Sequence, residues 1–209
     1  MGRLTDRTTT RDGWLWPTND GCTWATVQKE LAEIPELLGL CKGRKVCVQA
    51  GGNGGLWVRP LAEAFERVFT FEPDPVNFRC LVHNVPHDNV VFTQGALGSI
   101  GGQWCKLRYQ KGNPGATNVS FGEGAVPVYA IDELMLTGLD LLQLDIEGAE
   151  LHALKGAIST IEAFKPVICV ELRNHAGRYG NDDDAVRGFL RDLGYRCERR
   201  MNHDEFWIS

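Results

Sequence analysis

The sequence predicts an α/β fold in which helices cover both faces of a mostly parallel sheet, closed at its carboxy-terminal end by an antiparallel hairpin. Three observations carry this. From residue 45 onward short apolar runs alternate with segments of helical periodicity, and most of those runs end in glycine or acidic clusters. The last helical segment is then followed by two extended runs joined by a polar turn. At 209 residues and 43% hydrophobic content the chain is long enough for one domain with a substantial core. The expected organisation is an amino-terminal extension and helix over residues 1–44 and a principal ligand-binding domain over 45–209.

Residues 1–22 are polar and irregular apart from Trp14 and Trp16. From Thr23 the spacing Trp24, Val27, Leu31, Ile34, Leu38 is helical, with an end expected near Gly39 or Gly43. Residues 45–50 form a short buried strand running into Gly51-Gly52-Asn53-Gly54-Gly55. A helix over 56–67 turns Leu61, Ala64 and Phe65 inward. The strand at 68–71 is stopped by Glu72-Pro73-Asp74-Pro75, where proline suits the first turn of a helix reaching Val85. A third strand covers 89–94. The Gly-rich region 98–125 holds the strand-like run 104–109 and predicts a hairpin and loop insertion. Residues 126–131 are extended and 131–136 make a helical turn or two. The apolar run 139–144 ends at Asp145-Ile146-Glu147-Gly148. One helix over 148–163 follows, with Leu151, Leu154, Ile158 and Ile161 on its inner face. A buried strand at 166–172 and a loop at 173–180 lead to Asn181-Asp182-Asp183-Asp184. That asparagine and those acids suit a helix start, and the helix runs to Leu193. Residues 194–200 and 205–209 form the closing strands around the turn 201–204.

Composition removes several function classes. A formal charge of −5 and a pI near 5.6 give no electrostatic ground for a polyphosphate partner. The seven cysteines are scattered with no C-x-x-C pair, and Cys41 and Cys47 lack zinc-site spacing. Cys47 and Cys169 sit in apolar runs and read as reduced core residues. The start, Met1-Gly2-Arg3-Leu4-Thr5-Asp6, has no apolar leader and no Ser or Thr at the myristoylation position. No stretch approaches the roughly 20 apolar residues of a membrane span. The expectation is a soluble cytoplasmic protein.

In open parallel sheets ligands bind beyond the carboxyl ends of the strands, near the point where strand order reverses. The polar clusters lie at such ends. Gly51, Gly52 and their neighbours let backbone pass close to a ligand with no Cβ in the way. Glu72, about twenty residues beyond the glycines, suits the two hydroxyls of a ribose. Gln94-Gly95-Ala96 suits an adenine edge, while Asp145, Glu147 and Glu171 face the same rim. G-x-x-x-x-G-K-[ST] is absent, and Trp57 stands where G-x-G-x-x-G needs its third glycine. An adenosyl cofactor without pyrophosphate fits better than a nucleoside triphosphate or NAD.

The residues themselves resemble a family. Val48-Gln49-Ala50-Gly51-Gly52-Asn53-Gly54-Gly55 looks like a first methyltransferase motif. Phe71-Glu72-Pro73-Asp74-Pro75 with Asn77-Phe78 resembles the second motif of FkbM methyltransferases. Asp140-Leu141-Leu142-Gln143-Leu144-Asp145-Ile146-Glu147-Gly148-Ala149-Glu150, continuing to Leu154-Lys155-Gly156-Ala157, is the most specific match. Its approach, Val126-Pro127-Val128 and Ile131-Asp132-Glu133-Leu134, and its exit, Lys165-Pro166-Val167-Ile168 to Glu171, are also similar to the family. The resemblance spans about residues 45–172. It implies a class I, Rossmann-like three-layer sandwich binding S-adenosylmethionine and transferring a methyl group, with oxygen of a saccharide or other small metabolite as acceptor. By it, Glu72 holds the ribose, while the glycine loop and Asn53 contact the methionine part. Pro73, Gln94, Ala96 and Leu97 frame the adenine, and Asp145 lies beside the amino group or the transferring methyl. The family has an acidic residue where this chain has Gln49; an amide hydrogen-bonds the cofactor's ammonium without neutralising it, so weaker binding or compensation by Asp145 is expected.

A hydroxyl acceptor needs a base, and Asp145, Glu147, Glu171 and His175 are the candidates, His175 titrating nearest neutrality. Plainer readings stand beside these: His175 as a solvated loop histidine, His152 as structural, Glu147 as a first-turn acid, Asp182 to Asp184 as a helix start. Trp14, Trp16 and Trp24 suit either an aromatic lid or a cover for the sheet edge. Arg173, Arg178 and Tyr179 hint at a polar or anionic substrate. No dedicated oxygen cage for a metal is present. Nucleic acid is disfavoured, since [DNS]-P-P-[YF] is replaced by Asp145-Ile146-Glu147-Gly148 and no Pro-Cys pair exists. An N-methyltransferase on a peptide or nucleoside amine, a non-catalytic cofactor-binding regulatory module and, more remotely, an NAD oxidoreductase remain alternatives.

Overall fold

A computed structural model of the chain describes residues 7–110 and 113–209. The amino-terminal residues read above for a leader or lipidation signal lie outside these. The first elements are a hairpin, β1 (Thr8–Arg11) and β2 (Trp14–Pro17), then α1 (Thr23–Glu30) and α2 (Ile34–Leu40), joined by a 3-10 turn at Leu31–Glu33. The principal sheet begins with β3 (Val46–Ala50), α3 (Val58–Ala64), β4 (Arg67–Phe71), α4 (Pro75–Asn84) and β5 (Val90–Thr93). A small separate sheet follows, built from β6 (Ala96–Leu97), β7 (Trp104–Gln110), β8 (Asn113–Phe121) and β9 (Val126–Tyr129). The chain then returns to the principal sheet through β10 (Leu141–Leu144), α5 (Glu150–Lys155), α6 (Ile158–Phe164), β11 (Val167–Glu171), α7 (Asp183–Asp192), β12 (Arg196–Met201) and β13 (Asp204–Ile208).

The principal sheet has seven strands in the order β12-β13-β11-β10-β3-β4-β5. β11, β10, β3, β4 and β5 run parallel, whereas β13 is antiparallel to β11 and β12 to β13. The chain therefore builds outward from β3 to β5, then reverses and builds the other way from β10. Strand order switches between β3 and β10.

Both sheet faces are packed, so the strands are apolar almost throughout. Val48, Ala50, Leu142, Leu144, Ile168 and Val170 face Leu151, Leu154, Ile161, Val186 and Leu190 of α5 to α7. On the opposite face Cys47, Leu141, Val167 and Cys169 meet Ile34, Leu37, Val58, Leu61 and Leu81 of α2 to α4. All seven cysteines are free. Among the described residues no helix is long and apolar enough to cross a membrane.

Three local expectations are corrected. The irregular stretch before Thr23 contains the β1–β2 hairpin, turned by Asp12 and Gly13 at positive φ. Trp16 packs there against Trp24, with ring centroids 4.9 Å apart, and against Leu56. The single helix expected over 148–163 is two, broken at Gly156, whose missing Cβ leaves room for the Gly98 backbone. The second of them is capped from outside by Asp132, which accepts from Ser159 N at 3.1 Å and Thr160 N at 2.8 Å. Finally, Asp182 and not Asn181 caps α7, accepting from Ala185 N at 2.7 Å.

These contacts give a graded expectation for stability. Leu142→Ala empties a fully buried site on the central strand and should cost about 2–5 kcal/mol. Asp182→Ala removes one exposed cap and should cost about 1 kcal/mol. Urea denaturation of both variants measures the ordering.

Candidate active site

The site is assembled where β3 and β10 part. Gly51 follows β3 with φ +87°, and a Cβ there would strike the carbonyl oxygen of Asp145, the first residue after β10. Asp145 N donates to Ala50 O at 3.0 Å, while Gly51 N and Gly52 N donate to Phe71 O at 3.1 and 3.0 Å. Three strand ends are thus locked together by backbone alone. Asn53, at φ +46°, turns its N–H to Glu72 Oε2 at 2.7 Å, and Asp74 N donates to Glu72 Oε1 at 2.8 Å. Burial nevertheless raises the Glu72 carboxyl to about 8, against the pull of these N–H groups.

Glu72 lines a cleft of about 580 Å³. Gly51, Asn53 and Asp145 also line it, with Phe71, Pro73, Ala96 and Leu97 and with Gly115, Thr117, Asn118 and Val119 of β8. The lining thus combines apolar side chains with the carboxyl groups of Glu72, Asp145 and Glu147. A second, polar cleft of about 470 Å³ shares Asn53, Gly115, Asp145 and Glu147 with the first. Thr23, Thr26 and Glu30 of α1, with Glu171 and Arg173, complete it. Thr23 Oγ1 bonds Asn113 Oδ1 at 2.9 Å and accepts from Gly115 N at 3.3 Å, so α1 is pinned to the start of β8.

Carboxylates dominate where the clefts meet. Burial and the neighbouring Glu147 raise Asp145; burial and Asp145 raise Glu171, although Arg173 opposes this. Burial of the two acids side by side thus pushes both toward the protonated form. Arg173 bridges Glu171 at 2.8 Å and Glu30 at 2.7 Å. On the other side Glu147 Oε2 accepts from Arg178 Nη1 at 2.9 Å and lies 2.8 Å from His175 Nδ1. Burial lowers the His175 imidazole, partly offset by Glu147.

Of the residues singled out by sequence, Gly51, Asn53, Glu72, Pro73, Ala96, Leu97 and Asp145 share the first cleft, and Asp145 and Glu171 share the second. Four others stand elsewhere. Gln49 is buried on the face covered by α2 to α4 and accepts from Thr70 Oγ1 at 2.6 Å. Gly52 lies under Leu81 and Thr70, and Gln94 is exposed before the Gly95 turn. His175 stands behind Glu147 and lines neither cleft. Glu147 is not a first-turn helix acid: it sits at φ +58° before Gly148 at φ +103°, and Glu150 begins α5. Tryptophans 14, 16 and 24 pack together beside the glycine loop and line neither cleft. Sequence reasoning missed Glu30 and gave β8 no site role, since a polar helix residue and a Gly-rich arm carry no periodic signal.

A family model described as Methyltransferase FkbM domain matches residues 61–197. The chain belongs to the FkbM methyltransferase family. Among solved structures, Methyltransferase FkbM from Methylobacillus flagellatus KT aligns with a TM-score of 0.57 at 19% identity. That alignment covers 82% of this chain and 45% of that one, so this FkbM-family chain spans less than half of that relative. A putative rRNA-methylase from Clostridium thermocellum aligns with a TM-score of 0.51 at 13% identity, over 86% of this chain and 92% of that one. Magnesium protoporphyrin IX methyltransferase from Synechocystis PCC 6803, solved with bound SAM, gives 0.50 at 14% identity over 88% and 78%. These likenesses establish an α/β fold with a mixed sheet. No curated protein matches the sequence.

The loop 145–149 of this FkbM-family chain is tied down by Glu150, whose Oε1 accepts from Ile146 N at 3.0 Å and Gly148 N at 3.2 Å. Burial raises its carboxyl from 4.5 to about 7. On unfolding it ionises more readily, so its favourable contribution is full below pH 4.5 and is lost as pH rises through about 7. Glu150→Gln keeps an oxygen acceptor but does not titrate. Its stability should fall less between those pH values than the wild type's, by up to about 3 kcal/mol. Parallel pH-dependent urea melts measure the difference; identical slopes would remove Glu150 from the account.

Proposed function

We propose that this FkbM-family chain is an S-adenosylmethionine-dependent methyltransferase on a Rossmann-like, class I sheet, and that it methylates a hydroxyl of a saccharide or other small polar metabolite. One observation carries the reading: motif residues from four separate strand ends, Gly51, Glu72, Leu97 and Asp145 among them, line a single cleft. Its donor set fits the cofactor. Glu72 retains acceptor capacity for the ribose hydroxyls, Ala96 and Leu97 offer apolar surface to adenine, and Asp145 faces the ammonium. In this reading residues 45–209 form the cofactor-binding unit, and the preceding extension lends α1 to the second cleft.

The bound cofactor supplies an electrophilic methyl group on sulfur. The protein's own work is alignment and proton removal. The second cleft adjoins the first through Asp145 and Glu147, so it would seat an acceptor beside the cofactor that the first would hold. Glu147 Oε takes the acceptor's proton; Arg178 fixes its rotamer, and His175 packs beside it. Glu171 and Glu30, held by Arg173, bind further acceptor hydroxyls. Carboxylates outnumber arginine in this cleft, which also favours a second reading, methylation of an amine, because an ammonium is attracted to the same acids.

Glu72→Ala should weaken S-adenosylmethionine binding by about 1–3 kcal/mol, because two hydrogen bonds to the ribose hydroxyls are lost. Calorimetry measures this; a wild type that binds no cofactor, or a variant that binds equally well, refutes the site. Glu147→Gln should lower turnover on the order of 10²- to 10⁴-fold, far more than it weakens cofactor binding. A labelled-methyl screen of hydroxylated and amino metabolites identifies the acceptor atom and separates the two readings.

A further inference from the structure

A third cleft, of about 1220 Å³, shares Asn118 and Val119 with the first and lies between β7, β8, α5 and the loop after β11. Its composition is unlike the acid-rich second cleft. Among the described residues no Asp or Glu lines it, although the chain's formal charge is −5. Arg108 and Arg178 stand in it instead. Arg108 is exposed and, among the described residues, bonds through Nη2 alone, to Ser120 Oγ at 3.2 Å, which leaves most of its donors free. Arg178 reaches out of this cleft to Glu147, donating to its backbone oxygen at 2.8 Å and its carboxylate at 2.9 Å.

Beneath the arginines lies an aromatic cluster. Phe121 stands 4.9 Å from His152 and 5.9 Å from Tyr179, and His152 is 5.5 Å from Tyr179, all centroid to centroid. Tyr179 is anchored by its hydroxyl to Val119 O at 2.9 Å. Burial and Lys155 lower the His152 imidazole, so it joins the cluster as a neutral ring. Tyr109 is exposed at the rim. Half-buried rings suit the apolar face of a sugar or a base. Guanidinium groups with several parallel donors suit the oxygens of a phosphate.

We propose that this cleft is a subsite for a phosphorylated ring, the phosphate held by Arg108 and Arg178 and the ring stacked on Phe121, His152 and Tyr179. Arg178 then joins the subsite to Glu147, so the anionic part of an acceptor and its reacting hydroxyl are held a fixed distance apart. This last connection rests on the reading of Glu147 above. The ligand class rests on the lining of the cleft alone.

The test is calorimetric titration of the full chain at low salt with glucose, glucose 1-phosphate and uridine 5′-monophosphate, with and without S-adenosylhomocysteine. Glucose 1-phosphate or the nucleotide should bind at least about tenfold more tightly than glucose, and added salt should weaken them. Whichever binds tighter identifies the ring as sugar or base. Arg108→Gln should lose about tenfold in affinity for the phosphorylated probe and none for S-adenosylhomocysteine. Its exposed position leaves the fold intact, which a thermal melt checks. Equal affinity for glucose and both phosphorylated probes, or no effect of Arg108→Gln, overturns the subsite. S-adenosylhomocysteine binding without phosphate discrimination defeats the subsite alone; discrimination without S-adenosylhomocysteine binding defeats the proposed function and leaves the subsite standing.

Discussion

The molecule depends on one close approach, Gly51 against the backbone of Asp145. β3 and β10 are neighbours in the sheet but are separated in sequence by the whole β4–β9 excursion. At their carboxyl ends the chain leaves toward opposite halves of the sheet, and a gap opens between the departing segments. The gap stays narrow because a residue without Cβ lets two backbones touch, with Ala50 O and Asp145 N completing the bond. From that junction the remaining site residues follow: Glu72 one strand over, the Gly95 turn beyond it, and Glu171 one strand the other way.

The arrangement stores unfavourable terms in a small volume. Glu72, Glu150, Glu171 and the Asp145 carboxyl are all held away from water, and burial pushes each toward its protonated form. Asn53 and Glu147 add positive backbone angles that residues with side chains adopt reluctantly. Compensation is local and specific: backbone N–H groups on Glu72 and Glu150, Arg173 between two acids, Arg178 on Glu147. The apolar layers on either side supply the stability against which these terms are set.

The parallel strands were legible because each is a short run of apolar residues with breakers at its end. Glu72 was legible from its distance to the glycines, since adjacent parallel strands fix that spacing. Gln49 shows where motif reasoning must yield to geometry. Strand alternation puts Val48 and Ala50 on one face and Cys47 and Gln49 on the other, so Gln49 faces Thr70 and away from the cleft. The broken helix at Gly156 was hidden because Leu151, Leu154, Ile158 and Ile161 keep helical spacing across the break. Its cause is the distant Gly98 backbone, which no local pattern encodes. Partnerships such as Arg173 with Glu30 join residues far apart in sequence and of ordinary type, and only the fold brings them together.

The tryptophan cluster at the amino-terminal hairpin has a spectroscopic consequence. Trp16 and Trp24 meet edge to face, Trp14 lies 6.2 Å from Trp24, and Trp16 occupies the space a side chain at Gly54 would need. Gly54 N in turn donates to the side chain of Asn53, which lines both clefts. Any rearrangement of the glycine loop therefore alters the coupling between indole transitions. Near-ultraviolet dichroism and intrinsic emission report on that loop directly, with no label introduced.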